Sequence, residues 1–134
     1  MKVQDFDRWN GQKKIINFDS VRRYFHPREI WFIRMGKNVG FEQDGKGEEF
    51  QRPVVILKKF NQETFLAVPL TSQKKNGKYY VRMPQIQEKD NWAIISQVRL
   101  FDARRLLKKV GTLPVKEVGL LKKIITDMIS CDDF

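Results

Sequence analysis

Cysteine and histidine are almost missing from this chain of 134 residues, which has one of each, Cys131 and His26. A single cysteine excludes an internal disulfide. It suits a reducing compartment, so a cytoplasmic location is the expectation. A single histidine excludes catalysis by a histidine pair within one chain. One His and one Cys are also too few for a zinc site built from those ligands, and neither a metal nor a cofactor is expected. Long apolar runs are missing as well. None approaches the ~18–20 residues that span a bilayer, and Met1–Asp7 has no apolar stretch of signal-peptide length, so no membrane partner is expected. Negative charge is scarce: 26 Lys and Arg stand against 16 Asp and Glu, a formal net charge of +10. Such a surface attracts polyanions, whether nucleic acid or an acidic protein.

Several catalytic signatures are absent too. There is no Walker A loop, no G-x-S-x-G elbow and no dinucleotide fingerprint. Gly40–Gly45 has the wrong glycine spacing to cradle a phosphate. The acids Glu42, Asp44, Glu48 and Glu49 lack the spacing of a calcium-binding EF-hand loop, and they read as solvated. What the chain does contain is enough apolar side chain, 41% with 12% aromatic, to form the core of one domain rather than a disordered segment.

Residues 1–26 read as an N-terminal extension, in which Phe6, Trp9 and Ile16 suggest one face of a short helix. Residues 27–134 read as the domain. Ile30–Ile33 is aromatic and β-branched, as a strand requires. Residues 36–51 read as a long loop. Pro53–Leu57 and Phe65–Leu70 are apolar strands joined at Asn61–Glu63, hence a hairpin. Asn76-Gly77 signals a tight turn. Tyr79–Met83 reads as a strand closed by Pro84, residues 85–91 as a polar connection, and Trp92–Val98 as another strand. One helical turn is expected at Asp102–Leu106. Pro114 suits the first position of a helix, after which Val115, Val118, Leu121, Ile125 and Met128 recur at helical spacing. About five short strands and one helix describe a mainly β fold, a small antiparallel barrel with a C-terminal helix.

Two short segments carry the chemistry. In Gln51-Arg52-Pro53 an arginine stands at the mouth of an apolar strand, its backbone constrained by the proline. In Pro69-Leu70-Thr71-Ser72 two hydroxyls follow on the partner strand. Folding the hairpin places Arg52 beside Thr71 at one open end. That pair can clamp a phosphate or an oxyanion, or it can be a surface arginine next to an ordinary turn.

Taken in order, Pro27-Arg28-Glu29-Ile30-Trp31, Val39-Gly40-Phe41-Glu42-Gln43, Arg52-Pro53-Val54-Val55-Ile56, Val68-Pro69-Leu70-Thr71-Ser72, Ile95-Ser96-Gln97-Val98-Arg99 and Arg104-Arg105-Leu106 resemble the MazF/PemK family of toxin endoribonucleases. The resemblance spans roughly residues 27–113. It implies an SH3-like barrel of the MazF/CcdB kind, working as a cytoplasmic homodimer. It also implies metal-independent cleavage of single-stranded RNA (mRNA) at short sequences by 2′-hydroxyl attack. The products are a 2′,3′-cyclic phosphate and a 5′-hydroxyl. It further implies inhibition by an acidic antitoxin, and DNA binding together with that antitoxin.

The family's catalytic arginine and threonine fall on Arg52 and Thr71. Glu42 is a possible general base. Phe41, Gln43, Ser72, Lys74, Lys75 and Gln97 are candidate substrate-binding residues, with Lys78 and Arg82 continuing a basic track. Compared with the family, Lys46–Gln51 lengthen the loop before Arg-Pro, and Ser96 stands where an Asp often precedes the glutamine. A gyrase poison of the CcdB type and a catalytically silent binding barrel are the other readings that the sequence leaves open.

Overall fold

The computed structural model describes residues 23–35 and 51–131. Among these are seven strands: β1 (Glu29–Arg34), β2 (Gln51–Lys59), β3 (Thr64–Thr71), β4 (Tyr80–Ile86), β5 (Lys89–Ile94), β6 (Arg99–Asp102) and β7 (Leu106–Thr112). One helix follows, α1 (Val115–Ser130). The expected helix within residues 1–22 and residues 36–50 of the loop expected over 36–51 lie outside the described residues; Gln51, expected in that loop, opens β2 instead.

All strand pairs are antiparallel. The sheet order is β4-β5-β3-β2-β1-β7, and β6 also pairs with β3. β3 serves two partners on one edge. Thr64–Ala67 pair with β6, whereas Leu70 and Thr71 pair with β5. Changing partner along a single strand bends the sheet into a half-barrel, and the resulting mainly β architecture with a C-terminal helix agrees with the sequence expectation.

β2 reads as a continuous apolar run because both of its faces are covered. Val55 and Leu57 join Ile30, Val68, Leu70 and Ala93 in the core beneath α1, which contributes Val118, Leu121 and Ile125. Val54 and Ile56 face the other way, into a second cluster with Trp31, Ile33, Phe65 and Phe101. Phe25 also belongs to that cluster, 5.1 Å from the Phe65 ring between centroids. Phe25 is therefore packed on the sheet, whereas its neighbours Tyr24 and His26 are exposed.

Several expectations about elements need correction. β6 and β7 are strands that sequence periodicity does not reveal, so the described residues form seven strands rather than about five. Pro84 lies inside β4 rather than closing it. β4 is the last strand in the sheet order, and an edge strand tolerates the missing N–H. Residues 85–91 are not a loose connection but the tip of the β4–β5 hairpin. The turn expected at Asn76-Gly77 lies one step later, at Lys78-Tyr79, where the Tyr80 N–H donates to the Gly77 carbonyl at 3.3 Å and Gly77 takes φ 128°; it does not join paired neighbours, because β3 pairs with β5 and not β4. β5 ends at Ile94, and a 3-10 turn, Ile95–Gln97, replaces the rest of the expected strand. Pro114 sits at the N-cap rather than inside the helix, and Val115 is exposed. The turn expected near Asp102 is present at Ala103–Arg105, capped by the Asp102 carboxylate, which accepts from the Arg104 backbone N–H at 2.8 Å.

Candidate functional site

The hairpin β2–β3 builds the site. Its register runs Val54 opposite Pro69 and Val55 opposite Val68. Continued by two residues, it sets Arg52 opposite Thr71. Two outer strands fix the same pair: Arg52 lies opposite Ile33 of β1, and Thr71 opposite Trp92 of β5. Both side chains are held in the sheet, Arg52 at 4% and Thr71 at 2% exposure. Nη1 of Arg52 donates to the Leu70 carbonyl at 3.1 Å, tying the guanidinium to the residue before Thr71. The Thr71 hydroxyl accepts from the Gln73 backbone N–H at 3.2 Å, which leaves its own proton for another acceptor.

Arg52, Thr71 and Ser72 line a groove of about 200 Å³. Phe32, Pro53 and Leu70 form apolar wall, and Gln51 stands beside Arg52. The far side is supplied by the β4–β5 hairpin through Ile86, Gln87, Lys89 and Asn91. Asn91 is a polar residue in buried register, at 4% exposure, two residues before the core residue Ala93. Sequence reasoning missed it, although its alternation with Ala93 and Ile95 was the available signal.

The structure brings together Arg52, Thr71 and Ser72 from the sequence-derived set. Gln97 lines a different cavity of about 160 Å³, with Met35, Ser96, Val98 and Arg99. Lys74 is exposed and Lys75 half-buried, and neither lines the groove. Arg82 is engaged with Asp90 at 3.3 Å and lies over the Trp92 ring. Phe41, Glu42 and Gln43 lie outside the described residues. His26 does not line the groove; its backbone N–H donates to Glu29 at 2.8 Å. Trp31 and Trp92 are buried. Among the described residues no three His, Cys, Asp or Glu side chains gather as metal ligands. No described helix is long and apolar enough to cross a membrane.

Arg99 lines the Gln97 cavity, and its charge, with those of Arg104 and Arg34, acts on Arg105. Arg105 donates to the Arg34 carbonyl at 3.1 Å. Its pKa is lowered first by burial and then by the nearby Arg99 charge. Arg104 grips Asp102 with two side-chain hydrogen bonds, at 3.0 and 2.7 Å. Those bonds hold the Asp102 carboxyl below its ordinary range.

Comparison with known proteins agrees with this architecture. The fold matches a crystal structure of MazF from Deinococcus radiodurans (TM-score 0.68, 17% identity, 81% of this chain and 99% of that one). It also matches toxin MazF-mt6 of Mycobacterium tuberculosis (TM-score 0.60, 14% identity, 78% and 99%). A third match is an endoribonuclease in complex with its cognate antitoxin from a mycobacterial species (TM-score 0.59, 10% identity, 80% and 96%). No curated protein matches the chain. At these identities the likeness is one of fold. The sequence itself matches the PemK-like, MazF-like toxin family of type II toxin–antitoxin systems over residues 26–129, and the chain belongs to that family.

Proposed function

We propose that this toxin is a metal-independent, sequence-specific endoribonuclease acting on single-stranded RNA, with Arg52 and Thr71 at its catalytic centre. The observation that supports this most is that Arg52 and Thr71 line one groove, with the Arg52 guanidinium bonded to the carbonyl of Leu70, the residue before Thr71. In the proposed reaction the ribose 2′-oxygen attacks the adjacent phosphorus while the bond to the 5′-oxygen breaks. The products are a 2′,3′-cyclic phosphate and a 5′-hydroxyl. The 2′-hydroxyl proton leaves to a base, and a proton reaches the departing 5′-oxygen. Nucleophile and phosphate belong to one nucleotide, so alignment and charge stabilisation are the main demands on the protein.

Arg52 meets the second demand, because a guanidinium donates two parallel hydrogen bonds to phosphate oxygens. It is unsuited to be the base, as its pKa exceeds ~12. Thr71 donates a further bond or orients the 2′-hydroxyl. Glu42 is the proposed base. Ser72 lies within reach of the same phosphate region, and Lys74, Lys75, Gln43, Phe41 and Gln97 are proposed to guide the strand. The arginines around Gln97 add backbone attraction that weakens with salt. Partners follow from the likeness to complexes of MazE with MazF in Deinococcus radiodurans. They are an acidic antitoxin, suited to the charge of +10, and a second copy of the chain.

Incubation with a long RNA in excess chelator, followed by mapping of the new 5′ ends, tests the reaction. Discrete cuts bearing 5′-hydroxyls are expected. Intact RNA would favour a silent binding barrel or a gyrase poison instead. Thr71→Val keeps the size of this buried side chain and removes its donor. It is expected to slow single-turnover cutting about ten- to a hundredfold, with a melting temperature a few degrees lower because the Gln73 backbone N–H loses its acceptor. An unchanged rate would remove Thr71 from the mechanism.

A further inference from the structure

We infer that Pro53 is a positioning residue for the proposed reaction: by withholding a backbone donor from the β2–β3 ladder, it keeps the Leu70 carbonyl for the Arg52 guanidinium. This rests on the nuclease reading above and deepens it, by naming what aims the arginine.

Proline is unusual at this position. β2 lies between β3 and β1 in the sheet, and a proline inside such a strand removes a ladder hydrogen bond. The register tells which neighbour loses it. Opposed residues of an antiparallel pair alternate between bonded and non-bonded pairs. Val54 faces Pro69. A pair that contains Pro69 cannot exchange two hydrogen bonds, so it is of the non-bonded kind. The next pair, Pro53 with Leu70, is then of the bonded kind, and an N–H at position 53 would point at the Leu70 carbonyl. The other edge of β2 agrees. There the Ile56 carbonyl accepts from the Arg28 N–H, just ahead of β1, at 2.7 Å. Even-numbered residues thus turn their backbone groups towards β1, and odd-numbered ones towards β3.

The Leu70 carbonyl is therefore the acceptor from which Pro53 withholds a ladder donor. Leu70 is fully buried, where a carbonyl without any donor is costly. The donor that reaches it is Nη1 of Arg52, at 3.1 Å. The guanidinium takes the place of the missing N–H, from the residue next door. With any other residue at position 53, the ladder itself would supply a donor. A carbonyl can accept two bonds, but a shared oxygen holds each donor less firmly. Between a paired backbone and a long side chain with much rotamer freedom to regain, the side chain is the one that loosens. Pro69 has no such effect. β3 changes partner between Ala67, opposite Arg99 of β6, and Leu70, opposite Ala93 of β5, and the missing N–H of Pro69 falls in that gap.

Pro53→Ala returns the N–H. Single-turnover cleavage of a mapped RNA site is expected to slow about tenfold at saturating protein. The half-saturating concentration should move less than about twofold, the pattern of a group aligned for the transition state. The melting temperature should stay within a few degrees of the parent. The ladder bond gained offsets the freedom that loss of a proline restores to the unfolded chain. Arg52→Lys has no guanidinium to hold, so adding Pro53→Ala to it should alter the rate less than about twofold. A folded Pro53→Ala protein that cuts at the parent rate, or an equal loss in both backgrounds, would overturn the inference.

NMR of the backbone amides and arginine side chains, on protein without RNA, separates this inference from the nuclease reading. In Pro53→Ala the new amide at position 53 should be protected from hydrogen exchange, and the Arg52 guanidinium should rotate faster about its Nε–Cζ bond than in the parent. Those results in a protein that cuts no RNA would retain the anchor and discard the nuclease. RNA cutting by the parent, with a guanidinium equally rigid in both proteins, would do the reverse.

Discussion

Arg52→Ala is expected to lower the rate of RNA cleavage at least about a thousandfold, the scale of losing a preorganised donor set aimed at developing phosphate charge. Arg52 is a buried residue, and its guanidinium is anchored through Nη1 to the Leu70 carbonyl, so its position needs little adjustment at the moment of reaction. Arg52→Lys separates charge from geometry. It retains the cation but loses the planar fork that grips two phosphate oxygens, and a fall of about a hundredfold is expected. The measurement is single-turnover cleavage of a mapped RNA site, with thermal melting of each variant to show that it is folded. A folded Arg52→Ala protein that cuts at the parent rate would remove the arginine from the reaction. Equal rates for Arg52→Lys and the parent would show that only charge matters there.

The juxtaposition of Arg52 and Thr71 was readable in the sequence because it depends on local events. Two apolar runs flank Asn61, whose Oδ1 accepts from the backbone N–H groups of Glu63 and Thr64 at 2.7 and 2.9 Å. Once that turn forms, counting residues along each strand sets the register. The far wall of the groove was not readable, for a physical reason. It comes from pairing β5 with the end of β3, a contact that no local pattern specifies. The Gln87-Glu88 turn lacks the glycine or asparagine that normally marks such a tip. β7 was obscured by Lys108 and Lys109, which are exposed on an edge strand and interrupt its apolar pattern. Gln97 was grouped with Arg52 by motif order, yet the 3-10 turn after β5 carries it to a separate cavity. Chain order tells which residues a family retains in sequence, and only the sheet topology tells which of them share a surface.

Loss of the Glu29 carboxylate is expected to be the most damaging change to stability among the polar residues. Glu29 opens β1 and is buried. Its Oε1 accepts from the His26 backbone N–H at 2.8 Å and from the Trp31 indole at 3.0 Å. Its Oε2 lies 3.0 Å from the Lys109 ammonium. These contacts brace a turn in which Arg28 takes a φ of 76°, with the Arg28 N–H bonded to Ile56 and its carbonyl to Leu113. The same turn thus links β1, β2 and the approach to α1. Glu29→Ala strands a buried indole donor and a backbone donor, and should cost about 3 kcal/mol, or about 10 °C in melting temperature.

Burial alone would raise the Glu29 pKa, but the Trp31, Lys109 and His26 donors outweigh it and hold the group below 4.5. A carboxyl with a depressed folded-state pKa contributes its full stability above its unfolded value. That contribution is lost as pH falls through the folded one. Melting temperatures of the parent should therefore drop steeply below about pH 4.5. Glu29→Gln, which cannot ionise, should show a shallower fall. Asp102, also held below its ordinary value, leaves a residual slope in both proteins. Parallel curves for the parent and Glu29→Gln would show that the carboxylate charge does not hold this turn together.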